Sequence, residues 1–150
     1  MNSANIVEML IVEDTSQDMD LALRALGKIE LTNRIQFARD GEEALDFIFC
    51  EGLFADRKME DGPRVILLDL KLPKIDGLEV LQRIKSDPRT KTIPVVVLTS
   101  SAEPSDVIES YSFGANSYIV KPVNSEQFSQ AVQALGMYWL ILNQPPTPEP

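Results

Sequence analysis

Val65-Ile66-Leu67-Leu68-Asp69-Leu70 decides how this chain is read. Four aliphatic residues run without a polar interruption and end in a carboxylate; Lys71-Leu72-Pro73 and Asp76-Gly77 follow. An apolar run of that length between breakers reads as a strand buried on both faces, as in a parallel sheet covered by helices. Asp69 then stands where the strand ends, and open α/β sheets bind ligands outside the carboxyl ends of their strands. Other runs repeat the pattern: Met9-Leu10-Ile11-Val12 ends in Glu13-Asp14, and Val95-Val96-Val97-Leu98 in Thr99, Ser100 and Ser101. Tyr118-Ile119-Val120 ends in Lys121-Pro122. Carboxylates, hydroxyls and one amine therefore reach a single sheet edge, a set suited to phosphate and metal chemistry.

Helical patterns separate these runs. Met19, Ala22, Leu23 and Leu26 recur at helical spacing, with Gly27 as the expected stop. Ile35-Gln36-Phe37-Ala38 alternates as a short strand. Asp40 with Glu43, and Asp76 with Glu79, have the spacing of a capping box. Asp87-Pro88 closes the helix after Asp76, Pro104 suits a first helical turn, and Gly114 a stop. Asn124 or Ser125 caps a last helix carrying Phe128, Val132 and Leu135. Residues Gly52 to Pro63 read as a long polar connection. Five strands alternating with five helices predict a doubly wound α/β domain. It spans residues 1–142, with a proline-rich flexible tail over 143–150.

Composition narrows the function. The chain has 150 residues, one domain's length, and 14 basic against 23 acidic residues. A net charge of −9 without a basic stripe argues against direct nucleic-acid binding. The single cysteine, Cys50, excludes an internal disulfide. No signal-peptide core is evident and Met137 to Leu142 is too short to span a bilayer, so a cytoplasmic location is expected. Histidine is absent, which removes Ser-His-Asp and Cys-His triads, histidine metal ligands and a phosphohistidine donor. In phosphoryl chemistry this chain is the receiving side.

Taken singly, Glu13-Asp14 reads as a turn or helix cap, Lys121 as a solvated lysine and Thr99 as a strand-end hydroxyl. Their joint placement after separate strands carries the argument. Converging carboxylates repel one another, so they bind a cation or hold a proton. Mg²⁺, which takes one or two carboxylates and keeps waters, suits such a site. With metal and Lys121 offsetting the repulsion between two anions, Asp69 becomes a candidate nucleophile that forms an aspartyl phosphate. Lys121 and Thr99 would contact its phosphate oxygens.

The ordered set Glu13-Asp14, Leu68-Asp69-Leu70-Lys71-Leu72-Pro73 with Asp76-Gly77, Thr99-Ser100-Ser101 and Tyr118-Ile119-Val120-Lys121-Pro122 resembles the receiver domain of two-component response regulators. The resemblance covers residues 6 to 142 and implies a flavodoxin-like five-stranded parallel sheet of order 2-1-3-4-5. It makes Asp69 the phosphoacceptor, Asp14 and Asp69 direct Mg²⁺ ligands, Glu13 a ligand through water, and the backbone carbonyl of Lys71 a further ligand. It also makes Thr99 and Tyr118 a conformational switch, Lys121 a phosphoryl contact, and the Lys121–Pro122 bond cis. Lys71 departs from the family, where an apolar residue is common. The Gly52–Arg64 segment, Leu98 to Glu103 and the aromatic C-terminus are most similar to the single-domain regulators paired with bacterial phytochrome histidine kinases. A phytochrome-type sensor kinase is thus the implied partner.

Other function classes stay open beside this one. A receiver-like adaptor that only docks partners would not need the intact acids, Thr99 and Lys121. A metal-dependent phosphatase or phosphotransferase would want a second acid two residues after Asp69, where Lys71 stands. No output module follows, so another protein or a second copy is expected to read the signal. Met137-Tyr138-Trp139-Leu140-Ile141-Leu142 offers more apolar surface than one helical face buries. A homodimer through Tyr138, Trp139 and Leu142 is expected; packing under the Gly52–Arg64 connection is the alternative.

Overall fold

The computed structural model describes residues 6–31 and 34–146. Of the expected tail, residues 147–150 lie outside them. Strands β1 (Met9–Val12), β2 (Ile35–Ala38), β3 (Val65–Leu68), β4 (Val95–Thr99) and β5 (Ser117–Val120) form one sheet of order β2-β1-β3-β4-β5. Every pairing is parallel. Helices α1 (Ser16–Lys28), α2 (Gly41–Ile48), α3 (Gly77–Ser86), α4 (Pro104–Ser112) and α5 (Ser125–Gly136) alternate with the strands. This is the doubly wound arrangement that the alternating pattern predicts, in the flavodoxin-like strand order that the resemblance implies.

The unbroken apolar runs are explained by burial on both faces. Leu10, Val12, Ile66, Leu68, Val95 and Val97 pack against Phe47 and Ile48 of α2 and Val80, Leu81 and Ile84 of α3. Their strand neighbours Met9, Ile11, Val65, Leu67, Val96 and Leu98 face Ala22, Ala25 and Leu26 of α1 and Phe128, Val132 and Leu135 of α5. Truncating one of these leucines to alanine would cost about 2–5 kcal/mol through lost transfer energy and the cavity left behind. The sheet thus holds its strand ends rigidly.

Strand order reverses between β1 and β3, the place where such sheets bind ligands. Val12 is paired with Leu68, so Glu13 and Asp69 emerge side by side, and the Asp69 amide donates to the Val12 carbonyl at 3.1 Å. Gly77 fixes the chain that follows. A Cβ there would lie 2.3 Å from the Asp69 carbonyl oxygen and 2.5 Å from Leu70 Cα, so only glycine lets α3 start this close.

Some local readings need correction. Gly27 does not stop α1, which runs to Lys28; the turn is made by Glu30 at φ 61°, whose amide donates to the Gly27 carbonyl. Asp40 caps α2 by accepting from the Glu43 amide at 2.8 Å, and Asn124 caps α5 by accepting from Glu126 and Gln127. Asp76 makes no such side-chain bond, and Glu79 pairs with Arg83 along the helix instead of reaching back to the cap; the first amide of α3, that of Gly77, donates to the Leu70 carbonyl at 2.8 Å. Lys121–Pro122 is trans; the cis bond among the described residues is Gly62–Pro63.

The long connection is more ordered than its composition suggests. Short 3₁₀ turns at Gly52–Phe54 and Met59–Asp61 flank Arg57. The Arg57 guanidinium lies 3.6 Å from the centre of the Phe47 ring and donates to the Gly62 carbonyl at 3.1 Å. One cation therefore staples the insert to α2. No helix among the described residues is long and apolar enough to cross a membrane.

Candidate functional site

Three strand ends deliver the charged residues of the site. Glu13 and Asp14 follow β1, Asp69 follows β3, and Lys121 follows β5. Glu13 and Asp69 are buried and Asp14 is exposed at the mouth. Carboxylate oxygens from Glu13, Asp14 and Asp69 lie within 4.8 Å of one another. The Lys121 ammonium sits among the acids, 2.5 Å from Glu13 Oε2, 2.9 Å from Asp69 Oδ2 and 3.0 Å from Asp18 Oδ2. Its backbone is held as well, the Lys121 amide donating to the Thr99 carbonyl at 2.7 Å.

Burial and pairing compete here. Burial pushes the Glu13 carboxyl above its ordinary value, although Lys121 and the Thr15 amide both favour its ionised form. Burial alone would lower Lys121, but hydrogen bonds to Glu13, Asp69 and Asp18 outweigh it and raise the ammonium above an ordinary lysine. The amine is therefore charged throughout the physiological range. One ammonium against Glu13, Asp14, Asp18 and Asp69 leaves excess negative charge around buried oxygens. An all-oxygen set of this kind fits a hard divalent cation.

The hydroxyl side of the site is arranged around the β4–α4 turn. Thr99 is fully buried at the end of β4. The Tyr118 hydroxyl donates to the Ser101 carbonyl at 2.8 Å, which holds the ring inward against the α2–α3 side of the core. Burial raises the Tyr118 phenol. Ser101 Oγ donates to Asp106, and the Glu103 amide donates to Ser101 Oγ at 3.3 Å. Lys71 is exposed, and its amide donates to Asp69 Oδ1 at 3.3 Å.

Glu13, Asp14, Asp69 and Lys121 are thus brought together, with Thr99 bonded to the Lys121 backbone. Tyr118 stands one turn away, linked through Ser101. Tyr138, Trp139 and Leu142 lie elsewhere. They belong to a π-helical turn, Met137–Leu142, that continues α5. Leu140 and Ile141 share a cavity of about 420 Å³ with Pro63, Arg64 and Pro94, which precede β3 and β4, so the segment stands at the opposite sheet edge. Trp139 is half-buried against the α1–α5 side of the core and meets Tyr138 edge-on at 4.9 Å. Met137, Tyr138, Ile141 and Leu142 are exposed. Sequence reasoning misses Asp18, and it names Ser101 only within the hydroxyl run, without a role. The signal for Asp18 is an acid one turn past Glu13-Asp14; for Ser101 it is a hydroxyl two residues past a strand end.

A family model described as the response regulator receiver domain matches residues 9–133. The probable methanogenesis regulatory protein FilR2 of Methanothrix harundinacea is 42% identical over 144 residues, covering 93% of this chain and 88% of that protein. Response regulator Rcp1 of Synechocystis is 39% identical over 132 residues, covering 88% of each. The solved Mn²⁺-bound form of Rcp1 superposes with a TM-score of 0.87 at 38% identity, covering 94% of this chain and 99% of that one. The phosphorylated cyanobacterial phytochrome response regulator RcpA gives 0.87 at 39% identity, covering 95% and 99%. Fold, acid cluster and relatives agree, and the chain belongs to the response regulator receiver domain family.

Proposed function

We propose that this protein is a phosphorylatable switch that receives a phosphoryl group on Asp69 from a sensor histidine kinase and thereby alters protein–protein contacts. The observation that carries the reading is the position of Asp69. It is buried at the central strand end, 2.9 Å from Lys121 and within 4.8 Å of Glu13 and Asp14. An Asp69 oxygen attacks phosphorus, the phosphoryl–imidazole P–N bond breaks, and the imidazole leaves with the bonding electron pair and takes up a proton. The product is an acyl phosphate. Mg²⁺, when bound, supplies charge that offsets repulsion between carboxylate and phosphoryl group; Glu13, Asp14, Asp69 and the Lys71 carbonyl would hold it.

Lys121 neutralises a phosphoryl oxygen, and Thr99 donates to another. As Thr99 moves, the space it leaves admits the Tyr118 ring, which releases its bond to Ser101 and changes the β4–α4 surface. Turnover of small substrates is not part of this role; the protein assists only its own phosphotransfer and dephosphorylation. The likeness to RcpA and Rcp1 supports a phytochrome-type kinase as donor. Residues 1–142 act as the receiver. The exposed Tyr138 and Leu142, with Trp139 beneath them, support a homodimer contact at the edge away from Asp69.

Phosphotransfer from an autophosphorylated phytochrome-type kinase tests the reading. Label should pass to the wild type in the presence of Mg²⁺ and not to Asp69→Asn. Equal labelling of the variant would remove Asp69 from the role.

A further inference from the structure

An ammonium has three N–H donors and no more. In Lys121 all of them are used, on Glu13 Oε2, Asp69 Oδ2 and Asp18 Oδ2. A phosphoryl oxygen therefore reaches Lys121 only if one of these bonds gives way. The three acids are not equivalent. Glu13 and Asp69, with Asp14, form the cluster suited to a divalent cation, and Asp18 is not part of it. Asp18 comes from the first turn of α1, 103 residues from Lys121 in the chain, and lines a small pocket of about 10 Å³ together with Glu13 and Asp69.

From this we infer that Asp18 is a positioning residue for Lys121, holding the amine in the site when a cation claims Glu13 and Asp69. The inference rests on the phosphoacceptor reading of Asp69. A cation taking up those two carboxylates also repels the ammonium, so two of its bonds weaken together. Without Asp18 the amine would have no third side-chain partner among the described residues to hold its flexible four-carbon chain inward. With Asp18 the amine keeps one charge-assisted bond and turns its freed donors toward the incoming phosphoryl group. The ordinary alternative is that Asp18 is only an acid favoured at a helix N-terminus. That role would not depend on Lys121.

The test is a double-mutant cycle on the rate of labelling by acetyl phosphate at saturating Mg²⁺, with folding of each variant checked by thermal melt. Asp18→Ala should slow the wild type about tenfold, as expected for loss of one charge-assisted bond to a positioned group. Asp18→Asn, which keeps an acceptor for the amine, should recover much of the rate. In a Lys121→Arg background, Asp18→Ala should have no more than about a twofold further effect, the mark of residues that act as a unit. A second readout needs no turnover. The Lys121 ammonium cross-peak in ¹⁵N NMR of the Mg²⁺-loaded protein should be visible in wild type and Asp18→Asn, and lost to solvent exchange in Asp18→Ala. Full additivity, or an unchanged cross-peak in Asp18→Ala, overturns the inference and leaves Asp69 untouched. Labelling of wild type and Asp69→Asn alike would overturn the phosphoacceptor reading, and this inference with it.

Discussion

Lys121, largely enclosed, and Lys85, half-buried, each place an ammonium among three oxygen acceptors, at opposite edges of the sheet. Lys85 donates to the Ile93 carbonyl at 2.8 Å, to Asn116 Oδ1 at 3.0 Å and to the Lys91 carbonyl at 3.1 Å. Lys121 donates to three carboxylates at 2.5 to 3.0 Å. The consequences are opposite. Burial lowers Lys85, because neutral carbonyls satisfy the donors without offsetting the charge. Hydrogen bonds to acids raise Lys121 against the same burial. Lys85 is a pin joining the end of α3 to the turns before β4 and β5. Lys121 is a cation held by groups that a metal and a phosphoryl group also claim, so its bonds are made to be exchanged.

The sharpest break in this comparison is to remove each amine. Lys121→Met should slow labelling of Asp69 by about 100-fold or more, since it deletes a preorganised charge where phosphoryl charge lies. Lys85→Met should leave that rate within about twofold, yet cost about 1–2 kcal/mol in urea denaturation through unpaired acceptors. A slow Lys85→Met would mean that the pin reaches the site.

Two glycines, one against the Asp69 backbone and one against Lys85, sharpen it further. Gly77→Ala drives a Cβ against the Asp69 carbonyl oxygen, 2.3 Å away, and should both destabilise the fold by about 1–3 kcal/mol and slow labelling. Gly114→Ala strains a φ of 104° and presses on Lys85 Cγ at 3.0 Å. It should cost about 1–3 kcal/mol in the same denaturation series, with labelling unchanged.

Alkaline titration separates the lysines by sign. A folded-state value raised above the unfolded one means stability that is full below the ordinary lysine value and lost as pH rises through the folded one. Lys121 therefore contributes a fall in stability above about pH 10.4. Lys85, lowered on folding, contributes a rise as pH approaches that value from below. Urea midpoints against pH should lose the rising component in Lys85→Met and the falling one in Lys121→Met. The same sign in both would contradict the difference in their partners.

The smallest effect on stability is expected at Tyr138, half exposed near the Lys85 edge. Tyr138→Glu should change stability by no more than about 0.5 kcal/mol. It should nevertheless convert a dimer to a monomer in sedimentation, with labelling intact. A wild type that sediments as a monomer at micromolar concentration removes this contact.

Much of this arrangement is legible before any coordinates, for a physical reason. Strands buried on both faces must be apolar throughout, so Val65–Leu68 and Val95–Val97 announce themselves, and the first polar residue after each lies at the functional edge. Glu13, Asp69 and Thr99 are found that way; Lys121 follows β5, a half-buried edge strand, and is found by its place after the last strand-like run. Asp18 is not, because an acid in a first helical turn has a sufficient local explanation, and its bond to Lys121 depends on a contact 103 residues away. The Asp76–Glu79 spacing misleads in the opposite sense. The motif is present, but Asp76 accepts no side-chain bond and Glu79 pairs with Arg83 one turn on. Arg57 shows the same limit: a polar connecting segment gives no sign that its guanidinium will lie over Phe47.

The central claim is that the excess negative charge at the Asp69 edge exists to bind a cation and accept a phosphoryl group on one carboxylate. Intact-mass spectrometry after incubation with acetyl phosphate tests it most directly. With Mg²⁺ the wild type should gain a single, hydrolytically labile phosphoryl adduct, which disappears when the cation is chelated beforehand and is absent from Asp69→Asn. An adduct of equal yield without a divalent cation, or on Asp69→Asn, would contradict the account.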